Sequence, residues 1–457
     1  MNIKENILRI FSANFLEVIS RIIISFIIPI ILSITEYSNL KTYMLYISYI
    51  TVFTLGFEEG MYIKYGGKEF NEINLETFKY EHRLYILLQI VFSTIVFLLG
   101  VFNENLILIL MAITIVPYNI VVFFKANYKA LGEFKIYTKI VYLQTILDLI
   151  LNILLVFFIK SSSYIMFCLA IIVINLAGAF YVEGNFYKKL KDIKCVYNKK
   201  IKNNFKVGFV ILIANLSIMI FYGLDRWFIK IFFTEYDFAY YSFSISMLNL
   251  INILINSISV IFYNYIAKDE NKTIINNLKR YLLILGAFAS LSYFGFAAVI
   301  NIFIKKYIPS LNIIAISFSA YPYIIVINVV IVNLYKARKE ERKYLKVVLK
   351  MLGIAFLYNL ITTILFKNSI LIAASTTASF ITWYFYSLKD FSYLFKDKKE
   401  LKFLTINLIG FLISSHLFNW FLGGIIYLAI ILLTVKIFFK NEFLKGMDYM
   451  RNNRYLK

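Results

Sequence analysis

Cysteine and histidine are nearly absent: the chain holds two of each. Cys168 lies in an apolar run and Cys195 in a basic loop, so no disulfide framework and no zinc-type cluster can be built. Acidic residues are also scarce, 26 against 48 lysines and arginines, for a net charge of +22. In a soluble chain that excess would point to nucleic acid. Here no basic domain exists to hold a phosphate backbone, and nucleic acid is excluded as a partner. The lysines instead occupy short segments between apolar runs, where they act as topology determinants. A GxxxxGK[ST] phosphate loop is missing, which argues against ATP hydrolysis. No nucleophile, base and orienter can be assembled from motifs, and nothing calls for a cofactor or metal.

What the sequence has is apolar length. Hydrophobic residues make up 61% of the chain and mean hydropathy is +0.74, well above the roughly 45 to 50% apolar content of soluble domains. The composition predicts an all-α polytopic membrane protein, because strand spans would be about ten residues long and alternate in polarity. Helical spans need about 20 apolar residues. Fourteen such segments are expected: 8-33, 40-63, 84-102, 105-124, 138-159, 163-183, 207-232, 238-266, 281-304, 311-334, 346-366, 369-388, 402-419 and 421-439. The opening MNIKENILRIFSANF carries no small-residue cleavage site after its apolar run, so it reads as a retained first span.

Basic residues alternate strictly along the connections. Lysine-rich segments such as those around Lys68 to Arg83, Lys125 to Lys135, Lys188 to Lys206, Lys268 to Arg280, Lys336 to Lys343 and Lys389 to Lys399 take turns with poor ones carrying little beyond Lys41, Lys160, Lys305, Lys306 and Lys367. The positive-inside rule places the rich set, and with it both termini, in the cytoplasm. The external connections are too short for a folded domain outside the membrane.

An internal repeat runs through this pattern, with an offset of about 200 residues. Ala13-Asn14 matches Ala214-Asn215, and Thr35-Glu36-Tyr37 matches Thr234-Glu235-Tyr236. Pro117-Tyr118 with Tyr128-Lys129-Ala130 matches Pro322-Tyr323 with Tyr335-Lys336-Ala337. Six spans separate each pair, so the halves share one orientation, as parallel repeats do. The expected organisation is an N-terminal six-helix lobe over 1-186, a basic cytoplasmic linker over 187-206, a C-terminal six-helix lobe over 207-390, and two added helices with a basic tail over 391-457. Pro29, Pro117 and Pro322 are expected inside helices, as flexing points.

Charged and amide side chains within the spans nominate a site, since an ionised group facing lipid costs roughly 2.5 to 3.5 kcal/mol. Span seven places Asn215, Tyr222, Arg226 and Lys230 on one face, with Asp225 beside Arg226. Span one carries Asn14, Glu17, Arg21 and Ser25 at steps of three and four. Glu17 and Arg21 can pair one turn apart, either as a static tie or as a pair opened by an anionic ligand. Glu58 continues a stripe through Ser48, Thr51 and Thr54, Glu59 points away and could pair with a neighbouring helix, and Lys64 lies at the cytoplasmic end, where it could snorkel to headgroups. Asp148, between Gln144 and Asn152, is either a proton-coupling acid or a neutral one bonded to another helix. Span eight presents Ser242, Ser246, Asn249, Asn252, Asn256, Ser259 and Tyr263, able to meet sugar hydroxyls or to glue helices. Ion coupling, if present, would use Glu17, Glu58, Asp148 or Asp225.

The six plus six plus two arrangement, the LDRWFI segment followed by TEYDFAYYSFS, and the YKALGEFK and YKARKEER segments resemble a known family. It is the polysaccharide-export branch of the multidrug, oligosaccharidyl-lipid and polysaccharide exporter superfamily. The resemblance covers the whole chain and implies a Wzx-type flippase, not an enzyme. Such a protein moves an undecaprenyl-diphosphate-linked oligosaccharide, the repeat unit of an O-antigen or capsule, across the bacterial inner membrane by alternating access of two lobes. It further implies cavity charges at Arg21 and Arg226, membrane lipids, a polysaccharide polymerase and a chain-length regulator as partners, and a monomer. A multidrug exporter of the same superfamily, a membrane enzyme of polysaccharide assembly and a non-transporting scaffold are the competing readings. The first would want an acidic, aromatic cavity, the second a catalytic loop outside the bilayer.

Overall fold

The computed structural model describes the backbone of residues 3-197, 201-268, 270-394, 397-440 and 442, and within these all side chains except those of 3-8, 256, 257, 260, 261, 264, 265, 267 and 268. Lys199, Lys200 and Lys396 of the basic connections therefore lie outside the described residues, as does the side chain of Asn256. Two compact units divide the chain, Met1–Ile218 and Met219–Lys457.

The first unit is built from α1 (Ile3–Ile31), α2 (Ile34–Ser48), α3 (Phe57–Tyr65), α4 (Leu75–Phe102), α5 (Leu106–Ala130), α6 (Phe134–Ile153), α7 (Tyr164–Leu190) and the opening of α8 (Ile201–Phe232). The second holds the remainder of α8, then α9 (Glu235–Lys268), α10 (Lys272–Phe303), α11 (Leu311–Phe318), α12 (Tyr321–Val326), α13 (Val332–Ala337), α14 (Glu341–Phe366), α15 (Ser369–Leu388), α16 (Lys398–Leu417) and α17 (Trp420–Phe438). Among the described residues there is no strand. Among the described residues ten helices are long and apolar enough to cross a membrane, and one pair bent by 47° makes up to eleven. The protein is thus an all-α, multi-pass membrane protein. The other expected spans are helical too but carry polar load: α15 is rich in Ser and Thr, α16 opens on Lys398, Lys399 and Glu400, and the α2–α3 stretch is broken.

Helix starts follow their sequence signals. Ser33, Asn74, Asn105, Ser163, Asn368 and Asn419 each sit just before a helix and accept a hydrogen bond from a backbone N–H of its first turn. The outward faces stay apolar and exposed, as at Leu87, Ile95, Val210 and Ile364. That is what a hydrocarbon solvent selects.

The break in the second expected span corrects the sequence reading. α2 stops at Ser48, residues 50-54 form a 3-10 turn, and Leu55 and Gly56 take left-handed φ of 51° and 79°. Thr54 caps the break, donating to Thr51 O and accepting from Gly56 N. Thr51 and Thr54 therefore close a kink, and no polar stripe runs from Ser48 to Glu58. The freed carbonyl of Phe53 receives the Gln89 amide of α4, itself bonded to Asn119 of α5. Glu58 and Glu59 fall in the first turn of α3, where the helix dipole favours negative charge.

Three glycines let α3 and α8 cross backbone on backbone. A Cβ at Gly208 would stand 1.6 Å from Gly56 O, and one at Gly60 would stand 2.0 Å from Asn204 O. Beside this crossing the fully buried Glu81 accepts from Lys64 Nζ, Tyr65 Oη and Asn204 Nδ2. Lys64 is thus an ion-pair partner within the protein, and the snorkelling alternative falls away. Phe57, Phe78, Tyr85, Phe123, Phe124 and Phe186 fill the core around it.

The repeat is visible in contact detail. Glu36, at the start of α2, accepts from the Tyr164 N–H that opens α7, at 2.6 Å. Asp237, at the start of α9, accepts from Ser369 Oγ at the opening of α15, at 3.0 Å. Pro117 lies inside α5 as expected, but Pro322 does not bend a helix from within. It occupies the first turn of α12 after a break at Ser319 and Ala320, where a missing N–H costs nothing. The two last helices dock through charge: Lys279 of α10 pairs with Glu400 of α16, and Arg280 binds Asp397, Glu400 and Glu442 at 2.7, 3.2 and 3.0 Å.

Candidate functional site

In the second unit, α8 carries Asp225 and Arg226 side by side with opposite fates. Asp225 is 2% exposed, and its carboxylate accepts from Tyr241 Oη at 2.7 Å, Arg226 N at 2.7 Å and Thr376 Oγ1 at 3.4 Å. This acid ties α8 to α9 and α15. Arg226 is half-buried, and among the described residues no carboxylate pairs with it. Its Nε is buried with no hydrogen-bond partner. A guanidinium donor left unsatisfied is costly, which marks it as a group awaiting an acceptor.

One turn earlier on the same face, Tyr222 donates to Asn328 Oδ1 at 2.9 Å. Asn328 sits in a π-helical turn, Ile327–Ile331, that joins α12 to α13. Its carbonyl accepts from Ser259 Oγ of α9 at 2.9 Å, and Asn333 Nδ2 returns to Ser259 O and Oγ. Lys230, the other member of the predicted stripe, reaches the ring of Phe238, 5.1 Å from its centroid. Asn215 is exposed.

Span eight glues helices through some of its polar groups and leaves others open. Ser246 bonds back to Ser242 O, and Ser259 zips α9 to the π turn. Asn249 is exposed, and Asn252 is half-buried with an unpartnered Oδ1. Ser242 Oγ is buried without a partner as well.

In the first unit, Arg21 Nη2 binds Glu17 Oε1 at 2.6 Å, and both side chains are exposed at the surface of the protein. Asn14 is exposed one turn away. Asp148, on α6, accepts from Asn152 Nδ2 at 2.8 Å and lies within electrostatic reach of Arg21 on the packed neighbour α1. Glu58 is half-buried, in the field of Glu59 and Lys129. Lys125 and Lys129 had been assigned to a loop, yet α5 runs on to Ala130 and carries both. Lys125 feels Glu17 and Arg21. The structure therefore gathers Glu17, Arg21 and Asp148 with two lysines that sequence reasoning did not place there.

An apolar cavity of about 550 Å³ opens between α11, α15 and α16 in the second unit, lined by Ile316, Ala374, Leu408 and Leu412 with His416 at one side. It suits hydrocarbon and offers nothing to bind a diphosphate. Asn328 is the main residue the sequence reading missed. Its signal was a lone amide within the apolar run Ile324 to Val332.

No family model and no curated protein matches the chain. Among solved structures it is similar to the lipid II flippase MurJ in an inward closed conformation, with TM-score 0.71 and 14% sequence identity over 95% of this chain and 99% of that one. The chain has that fold.

Proposed function

We propose that this protein is a flippase for an undecaprenyl-diphosphate-linked oligosaccharide, the repeat unit of an O-antigen or capsule, in the bacterial inner membrane. Two pseudo-equivalent lobes, 1-186 and 207-390, alternate access to a polar chamber, with both termini in the cytoplasm and no bond made or broken. The carrying observation is Arg226, an intramembrane guanidinium with a buried, unpartnered Nε and, among the described residues, no carboxylate in a salt bridge with it. Arginine presents a planar, permanently charged fork that matches phosphate oxygens. Around it Tyr222 and Asn328, with Asn249 and Asn252 further along α9, supply the hydroxyl and amide groups that a sugar needs. Arg21 with its partner Glu17 is a second cation, available if an anion displaces the carboxylate.

The shared fold with a protein titled a lipid II flippase favours a lipid-linked cargo. A multidrug exporter of the same superfamily is the second reading, and the open donor of Arg226 disfavours a cationic drug. Arg226→Ala is expected to abolish surface polysaccharide while protein abundance is unchanged, with Arg226→Lys keeping part of it. Normal polymer at normal abundance would reject the role.

A further inference from the structure

From Phe318 to Tyr335 every residue is buried except one, Asn328. The exception is polar, half-exposed, and set in the π-helical turn Ile327–Ile331. Turns of this kind occur mostly as single insertions within α-helices, frequently at functional sites. An amide has four bonding positions, two acceptor lone pairs and two N–H donors. Here Oδ1 takes the Tyr222 hydroxyl at 2.9 Å, the backbone carbonyl takes Ser259 Oγ at 2.9 Å, and among the described residues Nδ2 has no hydrogen-bond partner.

Asn328 is thus partly exposed, its Oδ1 is fixed by Tyr222, and Arg226 lies one turn from Tyr222 along the same helix face. Hydrocarbon cannot satisfy an amide donor, so an open one within a membrane-spanning segment calls for a polar acceptor. A purely structural amide would turn its donors inward, as Asn333 does toward Ser259 and Val329. We propose that Asn328 is a substrate-contact residue whose Nδ2 donates to an oxygen acceptor on the polar headgroup of the cargo. Tyr222 is its positioning residue, fixing the amide through Oδ1. This rests on the reading of Arg226 as the anion-binding group. The acceptor belongs either to the diphosphate or to the first sugar, where a ring hydroxyl or an acetamido carbonyl would serve.

The test uses the full chain in lipid nanodiscs and two probes, farnesyl diphosphate and farnesyl-diphosphate-N-acetylglucosamine. Asn328→Ala is expected to weaken binding about tenfold, with Asn328→Gln recovering part of the loss. Loss confined to the glycosylated probe assigns the donor to the sugar, and equal loss on both assigns it to the diphosphate. Tyr222→Phe removes the same interhelical hydrogen bond but keeps the amide, so it should cost less than Asn328→Ala. Should the alanine variant fail to fold, Asn328→Leu, of nearly equal size, replaces it. Unchanged affinity for both probes, or a Tyr222→Phe loss as large as that of Asn328→Ala, overturns the assignment. Arg226→Ala is measured in parallel: unchanged binding there sinks the site itself, whatever Asn328 does.

Discussion

Gly132 and Lys339 hold the same left-handed position at the end of a helix in the two halves of the chain, with φ of 71° and 56°. Around Gly132, Leu131 N bonds to Asn127 O and Glu133 N to Tyr128 O, at 2.9 and 2.8 Å. Around Lys339, Arg338 N bonds to Leu334 O and Glu340 N to Tyr335 O, at 3.0 and 2.9 Å. Lys160 and Lys367, closing the following helices, are left-handed too and keep the same spacing in sequence. The repeat has conserved a backbone shape while its side chains diverged.

A lysine in this region is strained where glycine is not. Lys339→Gly should therefore raise stability by up to about 1 kcal/mol, and Gly132→Ala should lower it by about 1 kcal/mol. Thermal unfolding in detergent reads both. A stabilised Gly132→Ala would deny that the cap needs the left-handed turn.

The glycine crossing gives a sharper contrast. Gly208→Ala and Gly60→Ala drive a methyl group into backbone that cannot yield, so each should cost about 3 kcal/mol or more and reduce the monodisperse fraction on size exclusion. Gly184→Ala and Gly295→Ala, with nothing within 4 Å of the new Cβ, should be neutral or slightly stabilising. Equal behaviour of the two pairs would mean that α3 and α8 do not touch at these glycines.

Lys279 is fully buried against Glu400, which Arg280 also binds, so Lys279→Ala removes one of two cations from a buried carboxylate and should cost up to about 3 kcal/mol. Adding Glu400→Ala should return part of that loss. A double variant no better than the single one would remove this pair from the docking of α16.

Acid sensitivity has a specific source outside the membrane. The Arg338 fork binds Glu270 through Nε and Nη2 and holds its carboxyl below the usual carboxylate range. A depressed native pKa contributes stability above the unfolded value near 4.5 that is lost as pH falls through the native one. Arg338→Ala should flatten the decline in melting temperature below about pH 4.5. An unchanged slope would mean that the pair contributes nothing.

Much of the helical framework was legible because apolar length and asparagine or serine caps are local signals, and the repeat was legible in Thr-Glu-Tyr and Tyr-Lys-Ala. The break at Leu55 was not, since Thr51 and Thr54 have the spacing of a polar helix face and only Gly56 hints at a left-handed turn. Lys125 and Lys129 were read as loop because charge was taken to end the span, yet α5 continues past both. Asp225 and Arg226 looked equivalent in sequence. Only tertiary contacts separate an acid held by Tyr241 and Thr376 from a guanidinium with an open donor. Asn328 escaped because its one signal, a lone amide in an apolar run, does not announce a π turn.

The most direct measurement follows a fluorescent undecaprenyl-diphosphate-linked oligosaccharide across vesicles containing the purified protein. Wild type is expected to expose the headgroup to the opposite face at a rate well above empty vesicles, and Arg226→Ala to fall to the empty-vesicle rate at equal incorporation. Transport by Arg226→Ala at the wild-type rate would contradict the account.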